Sequence, residues 1–85
     1  MTVSEESRRI FVECKQYVTN GKNHVIPFIG CGTVNKRTRM YKECKRYRDD
    51  AEIDFELGVI DEKEYKIEIE AIRKFEQALA NMECY

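Results

Sequence analysis

Residues 57–70 read LGVIDEKEYKIEIE, and this stretch decides how the second half of the chain is built. Gly58 is placed to end a preceding helix, because glycine readily takes the left-handed conformation that closes one. Asp61 is placed to cap the N-terminus of a new helix, and Glu64, three residues later, completes a capping box. Such a short link predicts that the two helices pack as an antiparallel hairpin.

Apolar residues on both sides of this link recur at steps of three or four, which is the spacing of one face of a helix. The preceding helix is predicted from about residue 35 to residue 57, with an inward stripe of Met40, Cys44, Tyr47, Ala51 and Phe55. The following helix is predicted from Glu62 to about Met82, and its inward stripe is Tyr65, Ile69, Ile72, Phe75, Leu79 and Met82.

Residues 58–72, GVIDEKEYKIEIEAI, resemble the SHOCT module, a short domain usually found near C-termini. The positions that fit its Gly-Ile-Ile-Thr-Glu-Glu-Glu-Phe-like pattern are Gly58, Ile60, Glu64 and Tyr65. Asp61 stands where the module usually has Thr or Ser. The resemblance implies a role in oligomerisation or in binding another protein.

The N-terminal stretch SEESRRIFVECKQYV, residues 4–18, predicts another helix. Ser4 can cap it, two glutamates lie in its first turn, and the apolar positions at helical spacing are Ile10, Phe11, Cys14, Tyr17 and Val18. The alternative is a strand that turns at Asn20–Gly21 into a hairpin, with one face formed by Ile10, Val12, Cys14 and Val18. The sequence leaves helix or hairpin open for residues 10–28.

These segments predict a mainly α protein that forms a single small domain over residues 1–85. It has an N-terminal helix, an apolar connector that can include a short strand or hairpin, and a C-terminal antiparallel helical hairpin. The chain is 42% hydrophobic and 36% charged, which suits a folded protein with a core. No run approaches the roughly 20 apolar residues of a membrane-spanning helix, and no export signal is visible. We therefore expect a cytoplasmic protein.

The connector HVIPFIGCGT, residues 24–33, holds the only proline, the only histidine, a cysteine and two of the 4 glycines. Cys31 would be a reactive thiol if a base or a helix N-terminus activated it. The favoured interpretation is structural, with the apolar side chains packing on the helices while the glycines let the backbone turn. Because no known catalytic motif accompanies Cys31, we expect no enzymatic activity.

A zinc site could recruit Cys14, His24, Cys31 and Cys44, which are suitable ligand types. Their spacings contain no C-x2-C or H-x3-H pair that would set the ligand geometry locally. Cysteines on apolar stripes are more often small buried hydrophobes, and Cys14 and Cys44 both lie on such stripes. We predict no metal and no cofactor, although the sequence leaves metal binding by these four residues open.

Charge is segregated along the chain. Residues 1–48 contain 11 Lys and Arg against 4 Asp and Glu, whereas residues 49–85 contain 4 against 12. The change of sign falls inside the first helix of the predicted hairpin. Basic residues then lie near its N-terminus and acidic residues near its C-terminus, which opposes the helix dipole at a cost of up to about 1 kcal/mol per charge near an end. Such an arrangement suggests that the charges serve the fold or a partner.

The basic half of this helix is the first candidate binding site, and it comprises Lys36, Arg37, Arg39, Lys42, Lys45, Arg46 and Arg48. These side chains could bind a partner protein. They could also neutralise nucleic-acid phosphates, with Tyr41 and Tyr47 available to stack on bases. The sequence pI of 5.9 disfavours long-range attraction of nucleic acid.

The acidic half is the second candidate, and it comprises Asp49, Asp50, Glu52, Asp54 and Glu56. It could dock on a basic groove of another protein, including a groove that normally holds nucleic acid.

The predicted function is a small cytosolic protein–protein interaction module or inhibitor that docks through charged helical faces. Its size and charge are similar to those of small phage-encoded inhibitors, including anti-CRISPR proteins. The alternative is a nucleic-acid-binding protein that uses the basic helix, residues 36–48. A homodimer is a further expectation, because the basic half of one copy could face the acidic half of another.

Overall fold

A computed structural model describes residues 4–20 and 31–84, of which Cys31 is described by its backbone alone. The protein is mainly helical, as predicted, with α1 at Glu5–Thr19, α2 at Val34–Glu56 and α3 at Glu62–Ala80. The alternative of a strand beginning at residue 10 is wrong, because helix α1 is continuous to Thr19. The rest of that alternative, and the predictions for residues 21–30, lie outside the described residues.

Each helix begins at a side chain that accepts a hydrogen bond from a backbone N–H of its first turn. Ser4 Oγ accepts from the N–H of Ser7 at 3.3 Å, and Thr33 Oγ1 accepts from that of Lys36 at 3.1 Å. Asp61 Oδ1 accepts from the N–H of Glu64 at 2.7 Å. These caps satisfy donors that have no partner inside a helix, so they fix where each helix starts. The predicted caps Ser4 and Asp61 are confirmed.

The turn between α2 and α3 is a Schellman motif. Gly58 has φ 76°, its N–H donates to the carbonyl of Phe55 at 3.2 Å, and the N–H of Val59 donates to the carbonyl of Asp54 at 2.8 Å. A residue with a Cβ is strained at this φ, which explains why a glycine ends the helix here. The predicted helix stop at Gly58 is confirmed.

Helix α3 packs against both α1 and α2. The hydrophobic core takes residues from all three helices and from the segment after α3, and comprises Ile10, Phe11, Cys14, Met40, Cys44, Ala71, Ile72, Phe75, Leu79 and Met82. Two contacts establish the antiparallel direction of the hairpin. Phe55 stacks on Tyr65 near the turn, and Arg48 pairs with Glu76 further from it. The predicted C-terminal helical hairpin is confirmed.

Phe55 departs from the predicted inward stripe of α2. Its side chain remains 41% exposed, because it lies in the last helical turn before the link, where the ring of Tyr65 stacks on it. The two ring centroids are 4.7 Å apart. The apolar stripe of α2 is therefore buried at Met40, Cys44 and Ala51, half-buried at Tyr47 and exposed at its C-terminal end.

Two short strands, β1 at Cys31–Gly32 and β2 at Glu83–Cys84, pair in parallel with Gly32 opposite Cys84. This pairing holds the end of the connector beside the segment that follows α3. A Cβ on Gly32 would lie 2.6 Å from the Cε atom of Met82, the end of a flexible side chain, so a larger residue here would require the Met82 side chain to move. Within the described ranges, no helix has both the length and the apolar character needed to cross a membrane.

Candidate interaction surface

One acid of the basic half points inward and holds two helices together. Glu43 is 2% exposed, and its Oε1 atom accepts a hydrogen bond from the backbone N–H of Ser4 at 3.1 Å. Its Oε2 atom accepts from the hydroxyl of Ser7, which is fully buried. The carboxylate therefore ties the N-terminus of α1 to the middle of α2.

Sequence reasoning assigned no role to Glu43. The signal was present, because Glu43 lies on the same helical face as Met40, Cys44 and Tyr47, and an acid on an apolar face needs buried partners. Ser7 is the matching signal in α1, since it lies three residues before Ile10 on the inward face.

Two of the predicted site bases are used inside the molecule. Lys36 Nζ pairs with Glu6 Oε1 of α1 at 3.1 Å, and Arg48 Nη2 pairs with Glu76 Oε1 of α3. All four side chains are partly buried, with between 28% and 38% of their surface exposed. These pairs join the flanks of α2 to α1 and α3, so Lys36 and Arg48 have partners within the protein. Arg37 is also half-buried.

The two tyrosines of the basic half pack against the core. The ring of Tyr47 stacks on Phe11 with centroids 4.1 Å apart and an angle of 9° between the planes. Burial raises the pKa of the Tyr47 hydroxyl. Tyr41 is half-buried against the same cluster. One face of the Tyr47 ring is therefore occupied, which weakens the interpretation that these tyrosines stack on bases.

The remaining charges of α2 project into solvent. We call this surface the outward face of α2, and it comprises Arg39, Lys42, Lys45, Arg46, Asp49, Asp50, Glu52 and Glu56. It carries four basic side chains toward its N-terminal end and four acidic ones toward its C-terminal end. Asp54, the fifth predicted acid, is half-buried beside the turn. Across residues 4–20 and 31–84, no ion pair of 4.0 Å or less involves a side chain of the outward face.

Large apolar side chains are exposed at the acidic end of this surface. Ile53 is 52% exposed, Leu57 is 72% exposed and Val59 is 68% exposed. A single exposed apolar residue is ordinary on a protein surface, whereas a large contiguous apolar patch often marks a contact site. The outward face thus combines unpaired charge with apolar area at one end.

The two cysteines on the inward stripes are buried in the core. Cys14 and Cys44 are fully buried and unbonded. Burial, with smaller contributions from nearby carboxylates, raises the pKa of each thiol to about 12. The prediction that both cysteines act as small buried hydrophobes is confirmed. His24 and the side chain of Cys31 lie outside the described residues, and in the described part no three ligand side chains cluster around a potential metal site.

Comparison with known proteins gives no match: no family model fits the chain, and no curated protein or solved structure is significantly similar to it. The SHOCT-like resemblance of residues 58–72 and the likeness to phage-encoded inhibitors stay predictions. Functional inference therefore depends on the geometry and chemistry of the surface.

Proposed function

We propose that this protein is an interaction module that binds another protein through the outward face of α2. One observation carries the proposal. The eight charged side chains of this face are exposed, and they form no ion pair with any other residue of the described ranges. The charges that hold the fold together, such as Lys36 and Arg48, lie instead on the flanks of the helix. The outward face is thus left free for contact.

The order of these charges supports a protein partner. An exposed face with cations at one end and anions at the other sets the direction in which a partner with the opposite order can dock, and it speeds their encounter. Exposed ion pairs contribute little affinity, roughly 0–1 kcal/mol each. The apolar side chains of Ile53 and Leu57 at the acidic end supply area whose burial stabilises a complex.

An inhibitory role would follow from the acidic end of the same face. Asp49, Asp50, Glu52 and Glu56 place four exposed carboxylates along two to three turns of a rigid helix. A groove that binds nucleic acid is lined with cations, and a rigid acidic helix competes for such a groove through the same charge complementarity. Blocking a host or defence enzyme in this way is the form of inhibition that the charge pattern favours.

The alternative partner is nucleic acid bound by the basic end of the face. Arg39, Lys42, Lys45 and Arg46 form a run of exposed cations that could contact phosphates. The packing of Tyr41 and Tyr47 against the core and the four adjacent carboxylates weigh against it. A protein partner therefore ranks first.

The experiment that tests the proposal is affinity capture from host lysate with the tagged full chain, with and without nuclease, followed by mass spectrometry. Two variants neutralise the two ends of the face, Arg39→Gln/Lys42→Gln/Arg46→Gln for the basic end and Asp49→Asn/Glu52→Gln/Glu56→Gln for the acidic end. The matched control is Lys63→Gln/Lys66→Gln on α3, whose side chains are equally exposed but lie off the face.

The proposal predicts a defined protein that survives nuclease, is captured by the control variant and is lost with one or both face variants. If only a nuclease-sensitive mixture is recovered, the binding partner is nucleic acid and not a protein. Equal capture by all three variants would place the binding site elsewhere on the molecule.

A further inference from the structure

The centre of the outward face is a single stripe of side chains. Positions at alternating steps of three and four residues share one side of a helix. Together with Ile53, five residues of the outward face form such a stripe, and all six side chains are exposed: Arg39, Lys42, Arg46, Asp49, Ile53 and Glu56. The spacing is that of a helix that packs along another helix.

The order of residues along this stripe is self-complementary. A two-fold axis perpendicular to α2, midway between Tyr47 and Arg48, places each stripe residue opposite another one of a second copy. Arg46 then lies opposite Asp49, and Arg39 opposite Glu56. Because the axis repeats every contact, these two matches give four pairs of opposite charge, and no like charges of the stripe lie directly opposite each other.

We propose that the outward stripe of α2 binds the same stripe of a second copy of this chain in an antiparallel, two-fold arrangement. This inference rests on the proposed function, since it takes the outward face as a protein-docking face and identifies one occupant of it. A two-fold contact uses the same surface of both subunits and closes on itself, so the assembly stops at the dimer.

The exposed apolar side chains fit the same arrangement. Ile53 lies opposite Lys42 of the second copy, and Leu57 lies opposite Thr38. Lysine can lay its methylene stem along an apolar surface and keep its ammonium group in water, so Lys42 can cover Ile53 without losing hydration. In the single copy, α1 and α3 leave Ile53 52% exposed and Leu57 72% exposed. In the dimer, residues of the second copy would bury part of both side chains.

Charge exchange between Arg46 and Asp49 tests the arrangement. In the variant Arg46→Asp, the new carboxylate of each copy lies opposite Asp49 of the other copy, so two like-charge contacts form. In Asp49→Arg, the new guanidinium of each copy likewise lies opposite Arg46 of the other copy. The double variant Arg46→Asp/Asp49→Arg restores both pairs with their polarity reversed. Both positions are exposed, so the fold tolerates all three variants, and a circular dichroism spectrum verifies this. Lys63→Glu on α3 is the control for a reversed charge off the stripe.

The measurement is sedimentation equilibrium of the full chain at low salt, where charges interact over about 30 Å, and at about 1 M salt, where screening limits them to about 3 Å. The native chain and the Lys63→Glu control are expected to dimerise at low salt and to dissociate at high salt. Each single variant is expected to weaken the dimer at least tenfold, and the double variant is expected to recover it.

A native chain that stays monomeric at low salt and high concentration would overturn the inference, and so would a double variant as weak as the single variants. With either result, the proposed function would still hold if the monomer captures a defined protein through the outward face. Conversely, a chain that dimerises as described but captures nothing from lysate would retain this inference and reject a foreign partner.

Discussion

The hydroxyl of Ser7 in α1 donates a hydrogen bond to the carboxylate of Glu43 in α2, and both side chains are buried. The same carboxylate accepts hydrogen bonds from the backbone N–H of Ser4 at 3.1 Å and from its hydroxyl at 3.4 Å. Residues 36 positions apart in the chain are thus joined at the point where α1 begins. This junction sets how α1 lies on α2, and it leaves the opposite side of α2 free.

Glu43→Ala should destabilise the fold by about 2 kcal/mol, because the buried hydroxyl of Ser7 and the partly buried donors of Ser4 would lose their acceptor. In a domain of this size each kcal/mol lowers the melting temperature by roughly 4–8 °C. The control is Glu52→Ala, which removes a carboxylate from the exposed side of the same helix and should change stability by less than about 0.5 kcal/mol. Thermal unfolding of both variants measures the difference, and equal melting temperatures would reject the structural role of Glu43.

Gly58→Ala should cost about 1 kcal/mol, because φ at this position is 76° and an L-residue is strained there. A Cβ at Gly58 would have no neighbour within 4 Å, so the loss would come from the backbone conformation and not from a clash. Asn tolerates the left-handed region better than Ala, which makes Gly58→Asn the matched comparison. Denaturant unfolding should rank Gly above Asn and Asn above Ala, and an alanine variant as stable as the native chain would contradict the account.

Stability should fall in alkaline solution because of Cys14 and Cys44. Their thiols have a pKa of about 12 in the folded protein, against 9.0 without burial. Between these values the unfolded chain releases protons that the folded chain keeps, which favours unfolding. The stabilisation is therefore complete below about pH 9 and declines as the pH rises toward about 12, by up to about 1.4 kcal/mol per thiol per pH unit.

Denaturant unfolding at a series of pH values tests this against the variant Cys14→Ala/Cys44→Ala. Both proteins carry the same other ionisable side chains, so the difference between their curves reports mainly on the two thiols. The double variant should be less stable at neutral pH, because it leaves cavities in the core, and its stability should fall less steeply above pH 9. Parallel curves would show that the two thiols do not couple folding to pH.

The helices and the hairpin could be predicted because their signals are local. The cap at Asp61, the stop at Gly58 and the apolar stripes each depend on residues within a few positions of one another. The prediction that Phe55 points inward is wrong, because the three- and four-residue apolar spacing of α2 continues beyond the part of the helix that its neighbours bury. Periodicity indicates which side of a helix is apolar, but not where its cover ends.

The division of the basic half into inward and outward residues needed tertiary structure. Lys36 and Arg48 have partners on α1 and α3, and no spacing in the sequence connects them to Glu6 or Glu76. The position of Glu43 beside Met40 and Cys44 indicates that its side chain is buried. Its hydrogen-bond donors, however, lie at the N-terminus of a different helix, α1, which no local pattern connects to it. Local patterns thus predict elements, whereas the site depends on how those elements meet.

Lysine footprinting tests the central claim, that the outward face of α2 is a docking surface, most directly. The protein is acetylated with a limiting reagent, first alone at low concentration and then in complex with the partner protein recovered by affinity capture. The modification of each lysine is measured by mass spectrometry. Lys42 and Lys45 lie on the outward face, whereas Lys63 and Lys66 are exposed on α3 and serve as internal controls. In the complex with the partner protein, Lys42 and Lys45 should become protected while Lys63 and Lys66 react as before. Protection of Lys63 and Lys66 with undiminished modification of Lys42 and Lys45 would contradict the claim.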